Sequence, residues 1–227
     1  MKYAIGFSQW IAGLMVSLLL LTMSISIFAY NDSIYMDLYL KNDVLQRTGM
    51  DQENLAQVTD GLIAYMVDDV ETLNMKAVIR GEEREVFNKR EKDHMIDVKN
   101  LFLLNESIRG VLFGTVLFIV GLALWRKQNS FVYKMGLRQA YVSLLLAGGL
   151  LVVSMTDFSS AFIKFHHLFF TNDLWILDPR TDTLIQMLPE PFFKSMAIYM
   201  FGTWLGTSIL AGIASALMDR KLLVDEK

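Results

Sequence analysis

The sequence predicts an all-α integral membrane protein: four transmembrane helices with a mostly helical extracytoplasmic cap formed by two outer loops. Three observations lead there. Apolar residues of the AVILMFWYC set make up 53% of the 227 residues and charged residues only 20%, while mean hydropathy is +0.36, above the usage of a soluble domain. Four stretches carry no charge: Tyr3–Asn31, Gly110–Trp125, Gln139–Thr156 and Ser195–Met218. The segments that join them divide the charge by sign.

A helix rises about 1.5 Å per residue and must cross about 30 Å of hydrocarbon, so about 20 residues suffice. The spans are accordingly placed at 8–29, 107–126, 138–156 and 196–218. The second stretch is the shortest; Ile108 extends it, and Arg109 is expected to snorkel to the interface. Gly110, Gly114, Gly121, Gly148 and Gly149 are expected where neighbouring helices pack closely. The apolar run Ile11–Ala29 is longer than a signal-peptide core, and Ile27 spoils a small-residue cleavage pattern, so the first stretch reads as a retained span.

Charge sets the orientation. Lys2, the short segment 127–137 with its flanking Arg126 and Arg138, and the tail 219–227 together hold eight basic and three acidic residues, a net +5. The remaining segments hold 13 basic and 21 acidic residues, a net -8. By the positive-inside rule both termini are cytoplasmic, and the segments 30–106 and 157–195 lie outside.

Segment 30–106 is too long for a bare connector. After the cap candidate Asp51, the residues Leu55, Val58, Leu62, Ile63 and Met66 recur at helical spacing. Val78–Phe87 mixes β-branched residues with Gly81 and suggests a short hairpin. From about Asn88 a helical pattern resumes and leads into the second span. Segment 157–195 is aromatic. Phe158, Phe162, Phe165 and Phe169 form one stripe of a helix expected to run on from the third span. Asp178-Pro179 signals a turn. Thr181 is expected to cap a short helix from Asp182 to Leu188, ended by Pro189 and Pro191. An aromatic belt that only anchors the protein would also place such residues at the membrane–water interface.

The net charge of -3 excludes a strongly basic nucleic-acid binder, and the absence of cysteine excludes disulfides, thiolate metal sites and a cysteine nucleophile. No G-x-S-x-G marks a serine hydrolase. His94, Asp97, His166, His167 and Asp173 are suitable metal ligands, but no H-E-x-x-H or other ligand spacing is present, so neither metal nor cofactor is expected. Asp173, Asp178 and Asp182 could be paired acids, although turn and cap roles suit the last two equally. The three histidines all fall in the outer segments. His94 and Asp97 are i, i+3 neighbours on a helix, where a carboxylate can hold an imidazole tautomer. His166 shares the stripe of Phe162 and Phe169, where burial would keep it a neutral base. A non-catalytic membrane scaffold or accessory protein and a metal-dependent membrane hydrolase remain the competing readings.

The run His94-Met95-Ile96-Asp97-Val98-Lys99 is followed by Phe165-His166-His167-Leu168-Phe169-Phe170-Thr171-Asn172-Asp173-Leu174-Trp175-Ile176-Leu177-Asp178-Pro179. Then comes Thr181-Asp182-Thr183-Leu184-Ile185-Gln186-Met187-Leu188-Pro189-Glu190. Together they resemble the bacterial lipoprotein intramolecular transacylase family, Lit, and the four-span layout agrees. The resemblance implies transfer of the sn-2 acyl chain from a lipoprotein's S-diacylglyceryl-cysteine to the same cysteine's α-amine, giving the lyso-form lipoprotein. It further implies the cytoplasmic membrane of Gram-positive bacteria, with the site on the outer face. The partners would be diacylglyceryl-modified lipoproteins and membrane lipid, with no nucleic acid.

Nucleophile and ester then lie in one molecule, so the enzyme mainly supplies geometry and proton transfer. His166 is the expected general base, with His94 as its acid or oxyanion partner and Asp97 orienting His94. Asn172, Asp173 and Trp175 are expected to give orienting or oxyanion support. Phe162, Phe165, Phe169 and Phe170 are expected to line the acyl groove.

Overall fold

The computed structural model describes the backbone of residues 2–225 and the side chains of 6–221; Glu226 and Lys227 of the expected cytoplasmic tail lie outside the described residues. In chain order the elements are α1 (Lys2–Ala29), α2 (Asp32–Lys41), α3 (Val44–Thr48), α4 (Gln52–Met66), β1 (Lys76–Ile79), β2 (Glu82–Glu85), α5 (Lys89–Trp125), α6 (Asn129–Thr156), α7 (Phe158–Phe169), α8 (Thr183–Met187) and α9 (Glu190–Asp225). Four of these, α1, α5, α6 and α9, are long and apolar enough to cross a membrane. The chain forms two compact units. One holds the residues up to Ser26, Glu106–Val153 and those from Ile198 on; the other holds Ile27–Asn105 and Ser154–Ala197.

Among the described residues the first unit is helical except for the turn at 126–128. Small residues let its helices approach closely, as polar and small side chains do within membranes. A Cβ on Gly13 would lie 2.9 Å from the Gln139 nitrogen, and one on Gly212 would lie 2.5 Å from the Ala140 Cβ. The buried Ser17 and Ser143 hydroxyls bond at 2.7 Å between α1 and α6. The Ser24 hydroxyl donates to the Met200 carbonyl at 2.7 Å between α1 and α9. The five glycines expected at close contacts do not make them: a Cβ on Gly110, Gly114, Gly121, Gly148 or Gly149 would meet nothing within 4 Å. They instead stand on open faces among exposed apolar neighbours such as Val111, Leu117 and Phe118. Such a surface suits lipid and would be a liability in water. Arg109, expected to snorkel, is paired locally instead. Its guanidinium donates to the Ser26 hydroxyl at 2.6 Å and pairs with Glu106, which satisfies the charge without reaching outward.

The second unit is built around aromatic and aliphatic side chains from α2, α4, the hairpin and the start of α9. Tyr35, Tyr39 and Phe192 form a buried ring cluster with centroids 5.2–6.1 Å apart. Leu38, Leu55, Val58, Leu62, Phe87 and Met187 of the same unit are also fully buried. As expected, Asp51 caps α4, its carboxylate accepting the Asn54 N–H at 2.8 Å, and Leu55, Val58, Leu62 and Met66 are buried. The hairpin is also present, beginning at Lys76 with Lys76 opposite Glu85. Its Arg80-Gly81 turn has φ of 55° and 85°, the left-handed pair that matches strand twist. Helices α2 and α3 lie outside the sequence expectation.

Two further expectations are corrected. The aromatic stripe does not run on from α6. Asp157 interrupts the helix, adopting φ -138° and accepting the Ser160 N–H to start α7 afresh. Thr181 does not cap α8 either; Asp182 occupies the cap position without a side-chain cap bond. The Asp182 carboxylate is already engaged, accepting from the Asp178 N–H at 2.7 Å and from Asn88 Nδ2 at 2.9 Å. Pro191 lies inside the first turn of α9, where a proline costs no helical bond.

Candidate functional site

The first turn of α5 anchors the site. Asn88 and Glu91 close a capping box: Asn88 Oδ1 accepts the Glu91 N–H at 3.1 Å, and Glu91 Oε2 accepts the Asn88 N–H at 2.7 Å. The other oxygen, Glu91 Oε1, accepts the Leu184 N–H at 2.6 Å. One carboxylate thus caps α5 and, in place of Asp182, the start of α8. Glu91 is 1% exposed. Burial pushes its pKa up, opposed by the backbone donors.

His94 follows Glu91 by three positions on α5, so both face the same side. Its ring centroid lies 6.3 Å from that of His166 on α7. Phe170 touches both rings, at 5.3 Å from His94 and 5.6 Å from His166. Trp175 stacks on His166 at 4.6 Å, and Phe162 meets it edge-on at 4.3 Å. Both histidines are 7% exposed.

The tautomer of His166 follows from its partner. Nδ1 lies 2.6 Å from the Phe162 carbonyl. A carbonyl only accepts, so Nδ1 carries the hydrogen and Nε2 the lone pair. Burial lowers the His166 pKa below its ordinary value, the Phe162 bond partly opposes this, and His167 adds to the lowering. Burial lowers His94 further, to about 4, with His166 and Arg90 adding and Asp97 opposing. Both rings are therefore neutral at pH 7. Among the described residues, three buried ring nitrogens lack hydrogen-bond partners: His94 Nδ1 and Trp175 Nε1 at this site, and Trp204 Nε1 on α9. A buried polar atom left unpaired costs about 1–3 kcal/mol, so the two at this site are open to a partner.

The other expected residues divide. Asp97 does not bond to His94; its Oδ2 accepts from Asn172 Nδ2 at 2.8 Å. It reaches His94 only through its charge; the ring's Nδ1 has no hydrogen-bond partner. Asp173 contributes its backbone carbonyl, which accepts from the Arg90 guanidinium, and its side chain is exposed. Phe165 meets His166 edge-on at 5.5 Å and Phe169 at 4.8 Å. His167 is exposed and rests on the edge of Trp175 at 5.2 Å. A cleft of about 270 Å³ is lined by Asp97, Asn100, Leu101, Leu104, Phe170 and Asn172, among others. Among the described residues, no three His, Cys, Asp or Glu side chains gather closely enough to hold a metal ion. Glu91 and Arg90 escaped the sequence reading. Asn88-x-x-Glu91 before an apolar helical run was a legible signal for the first; nothing local signals the second.

Four helices apolar enough to span a membrane mark a membrane-integral protein, and the buried pair of imidazoles is its candidate active site. The chain belongs to the lipoprotein intramolecular transacylase family, Lit, whose profile matches residues 10–193. Its fold is similar to that of the membrane-integral lipoprotein intramolecular transacylase Lit from Bacillus cereus, with a TM-score of 0.82 at 21% identity, covering 98% of this chain and 100% of that one. Structures of the same Bacillus cereus protein with a histidine changed to alanine or to arginine superpose with TM-scores of 0.76 and 0.73 at 20% and 22% identity. They cover 98% and 99% of this chain and 97% of each of those. No curated protein matches the sequence.

Proposed function

We propose that this protein moves the sn-2 acyl chain of an S-diacylglyceryl-cysteine lipoprotein to that cysteine's α-amine, with His166 as general base and no covalent acyl-enzyme. The observation that carries the assignment is the pairing of the two buried imidazoles, with the Nε2 lone pair of His166 left available by the Nδ1 bond to Phe162. The amine nitrogen attacks the ester carbon while His166 Nε2 accepts its proton. The tetrahedral intermediate then expels the sn-2 oxygen, which takes a proton from the same nitrogen. One amide forms, one ester breaks, and the glyceryl group keeps one acyl chain and a free hydroxyl.

The oxyanion needs donors that are fixed before reaction. The unpaired Trp175 indole N–H and a neutral His94 N–H supply that chemistry. The low pKa of His94 favours this role over that of an imidazolium acid. Phe162, Phe165, Phe169 and Phe170 offer the apolar surface for acyl chains. The charge division in the sequence supports cytoplasmic termini and an extracytoplasmic cap carrying the site.

The test is mass spectrometry of lipoprotein N-terminal peptides from cells making this protein, its His166→Ala form or neither. Lyso-form peptides should appear with the first and fall by roughly 10²–10⁴-fold with the second, the usual contribution of a general base. Undiminished product from His166→Ala protein would overturn the base assignment, and an acyl group trapped on a serine or threonine would overturn direct transfer.

A further inference from the structure

We propose that Asp97 and the cleft it lines form the seat of the substrate's α-ammonium group, an inference that rests on the acyl-transfer reading above. Asp97 is half-buried, and only its Oδ2 is engaged, by Asn172 Nδ2 at 2.8 Å. Among the described residues no lysine or arginine pairs with it, in contrast to Asp37, Asp93 and Asp178. A half-buried carboxylate that lines a cleft and has no cation of its own is free to receive one from a ligand. A single carboxylate with amide neighbours suits an ammonium group better than a metal ion, which needs several ligands.

The walls fit the rest of the substrate head. Asn100 offers an amide group for the peptide, whereas Asn172 is engaged by Asp97 and by the Leu174 N–H, and Leu101 and Leu104 continue one α5 face, four and seven positions beyond Asp97, as an apolar surface for the glyceryl ester. Phe170 lines the cleft and also touches both imidazoles. An amine held at Asp97 is therefore one side chain away from the proposed base. A peptide α-amine, with a pKa of about 7.7–8.0, is mostly ammonium at neutral pH. It is the one cation that every such substrate carries next to its ester. Asp97 captures and places this group; a proton must leave it before the nitrogen attacks. The role assigned to Asp97 is thus binding, in addition to its charge effect on His94.

The experiment uses the full chain in detergent micelles with His166→Ala, so that bound substrate is not consumed. Two synthetic S-diacylglyceryl-cysteine pentapeptides without lysine or arginine are compared, one with a free amine and one N-acetylated. The free-amine peptide should bind roughly ten- to a hundredfold tighter, as expected for a charge-assisted hydrogen bond. Adding Asp97→Asn should remove that preference, and Asp97→Glu should restore part of it. The ratio of the two affinities is insensitive to a change in the folded fraction. Equal binding of both peptides before the Asp97 change, or a preference that survives Asp97→Asn, overturns the proposal. So does an equal loss of both peptides, which would reduce Asp97 to a prop for Asn172. Turnover of the free-amine peptide by the His166→Ala protein would instead count against the base assignment, and the amine preference would still be read on its own.

Discussion

Acid should unfold this protein partly through His94, and the size of the effect follows from its burial. The ring is 7% exposed, and its pKa falls from the ordinary 6.5 to about 4. In the unfolded chain the ring takes a proton below about pH 6.5, whereas the folded protein resists until about pH 4. Protonation therefore favours the unfolded state. The stability contributed by the neutral ring is complete above pH 6.5 and is lost as the pH falls towards 4. At 1.36 kcal/mol for each tenfold change in proton affinity, the loss is about 3 kcal/mol. For a chain of this size that corresponds to roughly 6–12 °C in Tm. The assay is thermal unfolding in a mild detergent at pH 7.5 and pH 4.0, for the protein and for His94→Gln. The unsubstituted protein should lose that much more on acidification than the variant. His166 is shifted in the same direction, so His166→Gln should also flatten the acid dependence. Equal losses in protein and His94→Gln would refute the argument that burial holds this ring neutral.

Trp175→Phe, which keeps a ring against His166 but removes the indole N–H, should lower the rate of lyso-form product by about 10²–10³-fold, the usual effect of losing an oxyanion donor; an unchanged rate would remove that role. Glu91→Ala should leave the Asn88 and Leu184 N–H groups unpaired. At about 1–3 kcal/mol per buried group, a fall in Tm should follow, and Glu91→Gln, which keeps one acceptor oxygen, should recover part of it. Lys134 and Lys221, both exposed, should resist a membrane-impermeant amine label applied to intact cells, and ready labelling of either would reverse the proposed orientation.

The legible parts of the fold were those set by local chemistry. Charge-free runs located the four long helices, Asp51 announced α4, and Gly81 announced the hairpin. The histidine pairing was legible only as two candidates, because the separation of rings 72 positions apart depends on tertiary structure. Local reading failed where a side chain had a distant partner. Thr181 looked like a cap, yet the N–H it would have served is taken by Glu91, 93 residues away. Asp97 looked like the orienting partner of His94, since i, i+3 spacing permits it, yet Asn172 holds its carboxylate instead. The glycines of the second and third spans looked like contact points, but small size marks close packing only when a neighbour is present. Gly13 and Gly212 have one; Gly110 and Gly114 do not. Helix α2 was missed although Tyr35, Leu38 and Tyr39 keep the i, i+3, i+4 rhythm and Asp32 stands in its first turn, where an acid favours a helix.

The bond from His166 Nδ1 to the Phe162 carbonyl, within a single turn of α7, limits what the imidazole can do. In many sites an imidazole relays protons, receiving at one nitrogen and discharging at the other. Here the far nitrogen faces a carbonyl of its own helix, which cannot carry a proton onward. The ring is closed at that end and must return what it takes through the nitrogen that took it. Such a device suits a reaction that takes up and returns one proton in the same place. The helix that positions this imidazole thereby also isolates it, and in the proposed transfer the proton taken from the amine returns through the same nitrogen to the departing oxygen.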